Sequence, residues 1–118
     1  VHPEVLAALD KAVDRANAKM LGMTEAEYKD TLALEARLRE ALKAAVAQGD
    51  PGGDLAREAC RLHKEWLCRY WGSYSKEAHL SLASTYVEDP RFSAYYEEIA
   101  PGCAAFLRDA LALYLKDA

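Results

Sequence analysis

The sequence has little with which to grip a polyanion. Lysine and arginine together number 15 against 19 aspartates and glutamates, a formal net charge of -4, and no basic run or stripe interrupts that balance. Unaided binding to a phosphate backbone is therefore a poor reading. Cysteine is scarce and odd in number: Cys60, Cys68 and Cys103, with no C-x-x-C. That argues against a disulfide scaffold or a zinc site. If Cys60 and Cys68 share a helix, their Cα atoms lie about 12 Å apart, beyond the ~7 Å that a disulfide spans. Buried, reduced thiols in a cytoplasmic protein are the expectation. No apolar run approaches the ~20 residues of a membrane span, and no signal peptide opens the chain, so no membrane is expected as a partner. Also missing are a phosphate-cradling glycine loop, H-E-x-x-H and a nucleophile elbow, and no cofactor, metal site or catalytic residue is expected. His63 and Cys68 lie five positions apart, on different faces of a helix, which disfavours a thiol–imidazole pair. The chain opens on Val1 rather than Met, compatible with an excised piece of a longer protein.

What is present is a helix-forming composition. Alanine and leucine dominate, β-branched residues are sparse, and 52% of the 118 residues are hydrophobic against 29% charged. These proportions suit one ordered, all-α domain over residues 1–118, built of about five or six helices. A chain this long buries about two-thirds of its unfolded surface. The first helix carries the stripe Val5, Leu6, Leu9, Val13, Ala16 and Met20, with Pro3 in its first turn and Gly22 at its end. Thr24 to Glu27 is a capping-box pattern opening a second helix, with Leu34, Leu38, Ala41, Leu42 and Ala45 inward. Gln48 to Gly53 is the clearest break. It divides residues 1–48, a possible lid, from residues 54–118, a helical core with a cleft.

Asp54 is expected to cap a third helix whose inward stripe is Leu55, Ala59, Leu62, Trp66 and Tyr70. Ser73 or Ser75 caps a fourth, with His79, Leu82, Ala83 and Tyr86 on one side. Asp89-Pro90 ends that helix and begins a fifth. Pro101-Gly102 breaks again before a last helix with Phe106, Leu107, Ala110, Leu113 and Tyr114 inward. Eight of the eleven aromatic residues fall between Trp66 and Tyr96. A core built only for stability favours Leu and Ile, because Tyr and Trp each bring a polar atom that needs a partner. Rings with polar tips converging from short helices also describe a cleft for a flat, partly apolar ligand. Periodicity alone leaves packed core and cleft both open.

The segment HLSLASTYVEDPRFSAYYEEIAPGCAAFLRDALALYL resembles the TipAS antibiotic-recognition domain of MerR-type transcriptional regulators. The resemblance rests on His79, Tyr86 with Asp89-Pro90-Arg91-Phe92, Tyr95 or Tyr96, Pro101-Gly102, Phe106-Leu107 and Ala110, with His63 also fitting. It is good from about Leu55 onward, looser over residues 24–50 and weak before Gly22. It implies a globin-like, all-α fold and a cleft for bulky hydrophobic or peptide-like antibiotics. It also implies either a homodimeric regulator, whose separate winged helix-turn-helix contacts DNA, or a free-standing, monomeric domain that sequesters the drug. In the thiostrepton-binding member a cysteine pair adds to dehydroalanines of the drug. The matching positions here are Tyr74 and Ser81, so binding without a covalent bond is expected. The expected ligand contacts are Trp66, Tyr70, Trp71, Tyr74, His79, Ser81 and Tyr86. Asp89, Arg91 and Phe92 form a structural motif, in which Asp89 caps, Arg91 pairs with a carboxylate and Phe92 is core. The alternative is a regulatory interaction module with no small ligand.

Overall fold

In the computed structural model, residues 3–116 are described, apart from the side chains of Leu6, Leu9 and Asp10. Six helices and no strand occur among them: α1 (Pro3–Met20), α2 (Glu25–Gln48), α3 (Asp54–Cys68), α4 (Lys76–Glu88), α5 (Pro90–Ile99) and α6 (Cys103–Lys116). The all-α expectation holds. The chain divides into two compact units, Val1–Glu35 and Ala36–Ala118, with the boundary inside α2. The glycine-rich 49–53 connection therefore lies within the second unit.

The first unit is built from local signals. Gly22, at a φ of 69°, ends α1 in a Schellman motif: its N–H donates to Lys19 and that of Met23 to Ala18, at 3.1 and 2.8 Å. The capping box is formed in both directions, with Thr24 N–H to Glu27 Oε1 at 3.0 Å and Glu27 N–H to Thr24 Oγ1 at 3.1 Å. Asn17 donates to the Tyr28 hydroxyl at 3.1 Å and so ties α1 to α2. Among the described side chains here, Ala18, Thr31 and Leu34 are buried. The expected α1 stripe is not: Val5, Val13 and Met20 are 50, 56 and 84% exposed, and Ala16 is exposed too. Leu6 and Leu9 fall outside the described side chains.

The second unit centres on α6, which packs against α3, α4 and α5, while α4 also packs on α5. Its inward positions are Cys103, Ala104, Leu107, Ala110, Leu111 and Leu115, helical spacing along one face. Leu38, Leu42 and Ala45 of α2 are buried as expected. Leu113 is not inward but half exposed. On α3 the buried face is Ala56, Ala59, Cys60, Leu62, His63 and Leu67. Leu55 and Tyr70 are exposed and Trp66 half-buried. The small residues at 56, 59 and 60 decide this rotation, because they let the helix approach its neighbours closely. The opposite face carries the ladder Glu58–Arg61–Glu65–Arg69, with N–O distances of 2.6, 3.3 and 3.7 Å, a solvated face worth little in stability.

Helix starts follow the sequence with one exception. Ser75 accepts from the Ala78 N–H at 3.0 Å. Asp89 caps α5 through the Arg91 N–H at 3.0 Å, with Pro90 in the first turn. Asp54 does not cap α3; Gly53 holds that position without a side-chain hydrogen bond. Asp50 instead accepts from the Gly52 N–H at 3.0 Å and closes the preceding turn. The start of α6 is capped from α5: Glu97 accepts from the Gly102 and Ala104 N–H groups at 2.9 and 3.1 Å.

Candidate functional site

The second unit contains a chain of hydrogen bonds through its interior. His63 on α3 and His79 on α4 are both fully buried, their rings stacked 5.0 Å apart at 13°. His63 Nδ1 faces His79 Nε2 at 2.8 Å. The chain continues inward from His63 Nε2 to the hydroxyls of Tyr96 at 3.1 Å and Tyr86 at 3.3 Å. The two tyrosine rings lie 4.4 Å apart, centre to centre. It continues outward from His79 Nδ1 to the Tyr74 hydroxyl at 2.7 Å. Every polar atom of the two imidazoles is thus met, as burial demands.

Burial holds both histidines neutral. It lowers the His63 pKa to about 3, with His79 adding a smaller effect. It lowers that of His79 to about 4, with Lys64 contributing. Burial also pushes Tyr86 up to about 12 and raises Tyr96 and, more modestly, Tyr74.

A partly exposed aromatic face lies over the outer end of this chain. Trp66 meets Tyr70 edge-on at 5.3 Å, and Trp71 lies 6.1 Å from Tyr74 and 6.5 Å from His79. The Lys64 ammonium sits 4.5 Å over the Tyr74 ring, a cation–π contact. Trp66 also reaches inward, 5.8 Å from His63. Its Nε1 is buried and, among the described residues, has no hydrogen-bond partner. A donor left so costs about 1–3 kcal/mol.

Five of the expected contacts therefore fall in two ring groups, Trp66 with Tyr70 and Trp71 with Tyr74 and His79, joined through His63. Tyr86 sits at the inner end, buried and turned to His63. Ser81 is exposed, two residues beyond His79 and so on another side of α4; its carbonyl accepts from the Thr85 hydroxyl at 3.1 Å. Arg91 pairs with Asp89 at 2.9 Å as the motif predicts. Phe92 is not core: it is 40% exposed and covers Tyr86 from 5.8 Å. Cys60 and Cys103 are buried but Cys68 is exposed, against the expectation of three buried thiols. Burial raises the Cys60 pKa to about 12 and that of Cys103 to about 11. Sequence reasoning did not place Lys64 or Tyr96 in the site. It set His63 aside as a partner for Cys68 and otherwise kept it as a match to the family pattern, outside the expected contacts. The available signal was the helical spacing of His63 with Ala56, Ala59 and Cys60.

A pocket of about 560 Å³ lies elsewhere in this unit, lined by Pro51, Gly52, Arg57, Ala110, Leu113, Tyr114 and Lys116. It includes none of the expected contacts. No group of three or more His, Cys, Asp or Glu among the described residues is placed to hold a metal ion, and no described helix is long and apolar enough to cross a membrane.

The model of the TipAS antibiotic-recognition domain matches residues 8–114, nearly the whole chain. The chain belongs to the TipAS family. Comparison with curated proteins and with solved structures gives no match. In this TipAS domain the match takes in α2 to α5 whole, most of α1 and α6, and both ends of the polar chain. It also extends through residues 8–21, where the segment-based resemblance is weak.

Proposed function

We propose that this TipAS domain binds bulky hydrophobic or peptide-like antibiotics without forming a covalent bond. The ligand face is the end of α3, the 69–75 connection and the start of α4. The observation that carries this reading is two partly exposed ring pairs, Trp66–Tyr70 and Trp71–Tyr74, backed by a buried polar chain that fixes Tyr74 and His79. Partly exposed aromatic rings on a rigid base offer large contact area at low entropic cost. A hydroxyl rather than a thiol stands at Tyr74 and at Ser81, the positions that resemble the reactive cysteine pair. The two buried thiols are held protonated, and a protonated thiol is a poor nucleophile. Binding rather than catalysis is accordingly the task. The domain serves a MerR-type cytoplasmic regulator, which contacts DNA through a separate winged helix-turn-helix, or acts alone by sequestering the drug.

The test is a thermal-shift panel of peptide-like antibiotics including thiostrepton. A ligand at 100 times its Kd adds about 2.7 kcal/mol, a rise in Tm on the order of 10 °C for a domain of this size. Tryptophan fluorescence should change in the same titration. If no compound moves either signal, the face is packed core. The exposed Val5, Val13 and Met20 of α1 would then favour the second reading, a module that contacts a protein partner.

A further inference from the structure

The buried chain links Tyr86 and Tyr96 each to His63 Nε2, His63 to His79, and His79 to Tyr74. The participating groups, with both imidazoles neutral, carry five protons: three hydroxyl protons and one on each ring. The two tyrosines share one nitrogen, which offers either one proton or one lone pair, so the direction of the chain decides which protons are left over and where.

Two directions keep both imidazoles neutral and the chain unbroken. In the first, both histidines carry their proton on Nε2. Tyr74 donates to His79, His79 to His63, and His63 to the tyrosine hydroxyls. The protons of Tyr86 and Tyr96 then both lack an acceptor among the described residues. Both side chains are 3% exposed, so two donors are stranded in the interior. In the second direction both histidines carry their proton on Nδ1. One tyrosine donates to His63 Nε2, His63 Nδ1 to His79 Nε2, and His79 Nδ1 to the Tyr74 oxygen. One interior hydroxyl proton is then left over instead of two, and the other surplus proton is the Tyr74 hydroxyl's own, at the half-buried end of the chain. A stranded buried donor carries a full desolvation penalty, whereas a donor at the surface finds water. The second direction wins.

We propose that the hydrogen-bond chain fixes the Tyr74 hydroxyl as an outward-pointing donor, so that the ligand group seated on it is a hydrogen-bond acceptor such as an amide carbonyl oxygen. The ligand part rests on the antibiotic-face reading above; the proton direction does not. His63, His79, Tyr86 and Tyr96 act as positioning residues, since they set the role of an atom they do not share with the ligand. The polarity matches a peptide-like molecule, whose carbonyls are its most numerous acceptors. A ligand offering only an N–H at this point meets the Tyr74 oxygen, which already accepts from His79.

Long-range 15N–1H correlation spectra of the unliganded wild-type protein at pH 7 read the proton positions directly. The expected result is a proton on Nδ1 of both His63 and His79, with scalar coupling from His63 Nδ1 to His79 Nε2. A proton on Nε2 of either ring, or fast averaging of the two tautomers, overturns the proposal. The ligand part is read with quinoline and naphthalene, equal in shape but differing in one acceptor nitrogen. The ratio of their affinities should fall about five-fold on Tyr74→Phe, the usual worth of one neutral hydrogen bond. An unchanged ratio refutes the donor role. If neither compound binds while both rings carry their proton on Nδ1, the proton direction stands and the antibiotic face lies elsewhere.

Discussion

Acidification should unfold this domain by way of its two buried histidines. The folded protein holds His63 at about 3 and His79 at about 4, while each titrates near 6.5 in the unfolded chain. The folded pKa values are depressed, so the unfolded state binds more protons as the pH falls through 6.5. The stabilising contribution is complete above 6.5 and is lost below it, until the folded values are reached. Between pH 7 and pH 4.5 each histidine forfeits about 2–3 kcal/mol, and the pair about 5 kcal/mol. A domain of this size has about 5–15 kcal/mol in total, so the loss is a large part of its stability. Urea unfolding followed by circular dichroism at pH 7, 5.5 and 4.5 measures it. Replacing His79 by Gln removes one of the two titrations and should roughly halve the slope below pH 6. A stability that stays flat from pH 7 to 4.5 would refute the claim that both imidazoles are neutral and buried.

Further outcomes follow from the same geometry. Leu107→Ala, which empties a fully buried position at the centre of α6, should cost about 2–5 kcal/mol in chemical denaturation. Ser75→Ala removes the acceptor for the Ala78 N–H and should cost about 1 kcal/mol. A thiol reagent should modify Cys68 in the folded protein and leave Cys60 and Cys103 until unfolding, read by peptide mapping; rapid labelling of either buried thiol counts against the packing around α6. Thiostrepton should leave the intact mass unchanged, and a stoichiometric adduct at any of the three cysteines would restore a covalent mechanism.

Signals confined to a few neighbouring residues were legible directly. The Thr24–Glu27 capping box, the left-handed Gly22, the Ser75 cap and the Asp89-Pro90 junction all depend on groups within five residues, and all took the form their residues dictate. The six-helix content and the TipAS signature are equally local, since they live in spacing along the chain. Where a choice of face was involved, the sequence was ambiguous. On α3 two apolar stripes compete. The larger residues Leu55, Trp66 and Tyr70 suggest one, but packing selected the smaller one that carries Cys60 and His63. Capping of α3 passed from Asp54 to Gly53 for a similar reason, because Asp50 already closes the turn. The hydrogen-bond chain was beyond sequence reasoning altogether. His63, His79 and Tyr96 come from three helices, and only burial converts three unremarkable polar residues into neutral, mutually dependent groups. Local chemistry determined which helices form and how they begin and end. The tertiary structure decided which faces are dry, because desolvation acts on a side chain only after another element covers it.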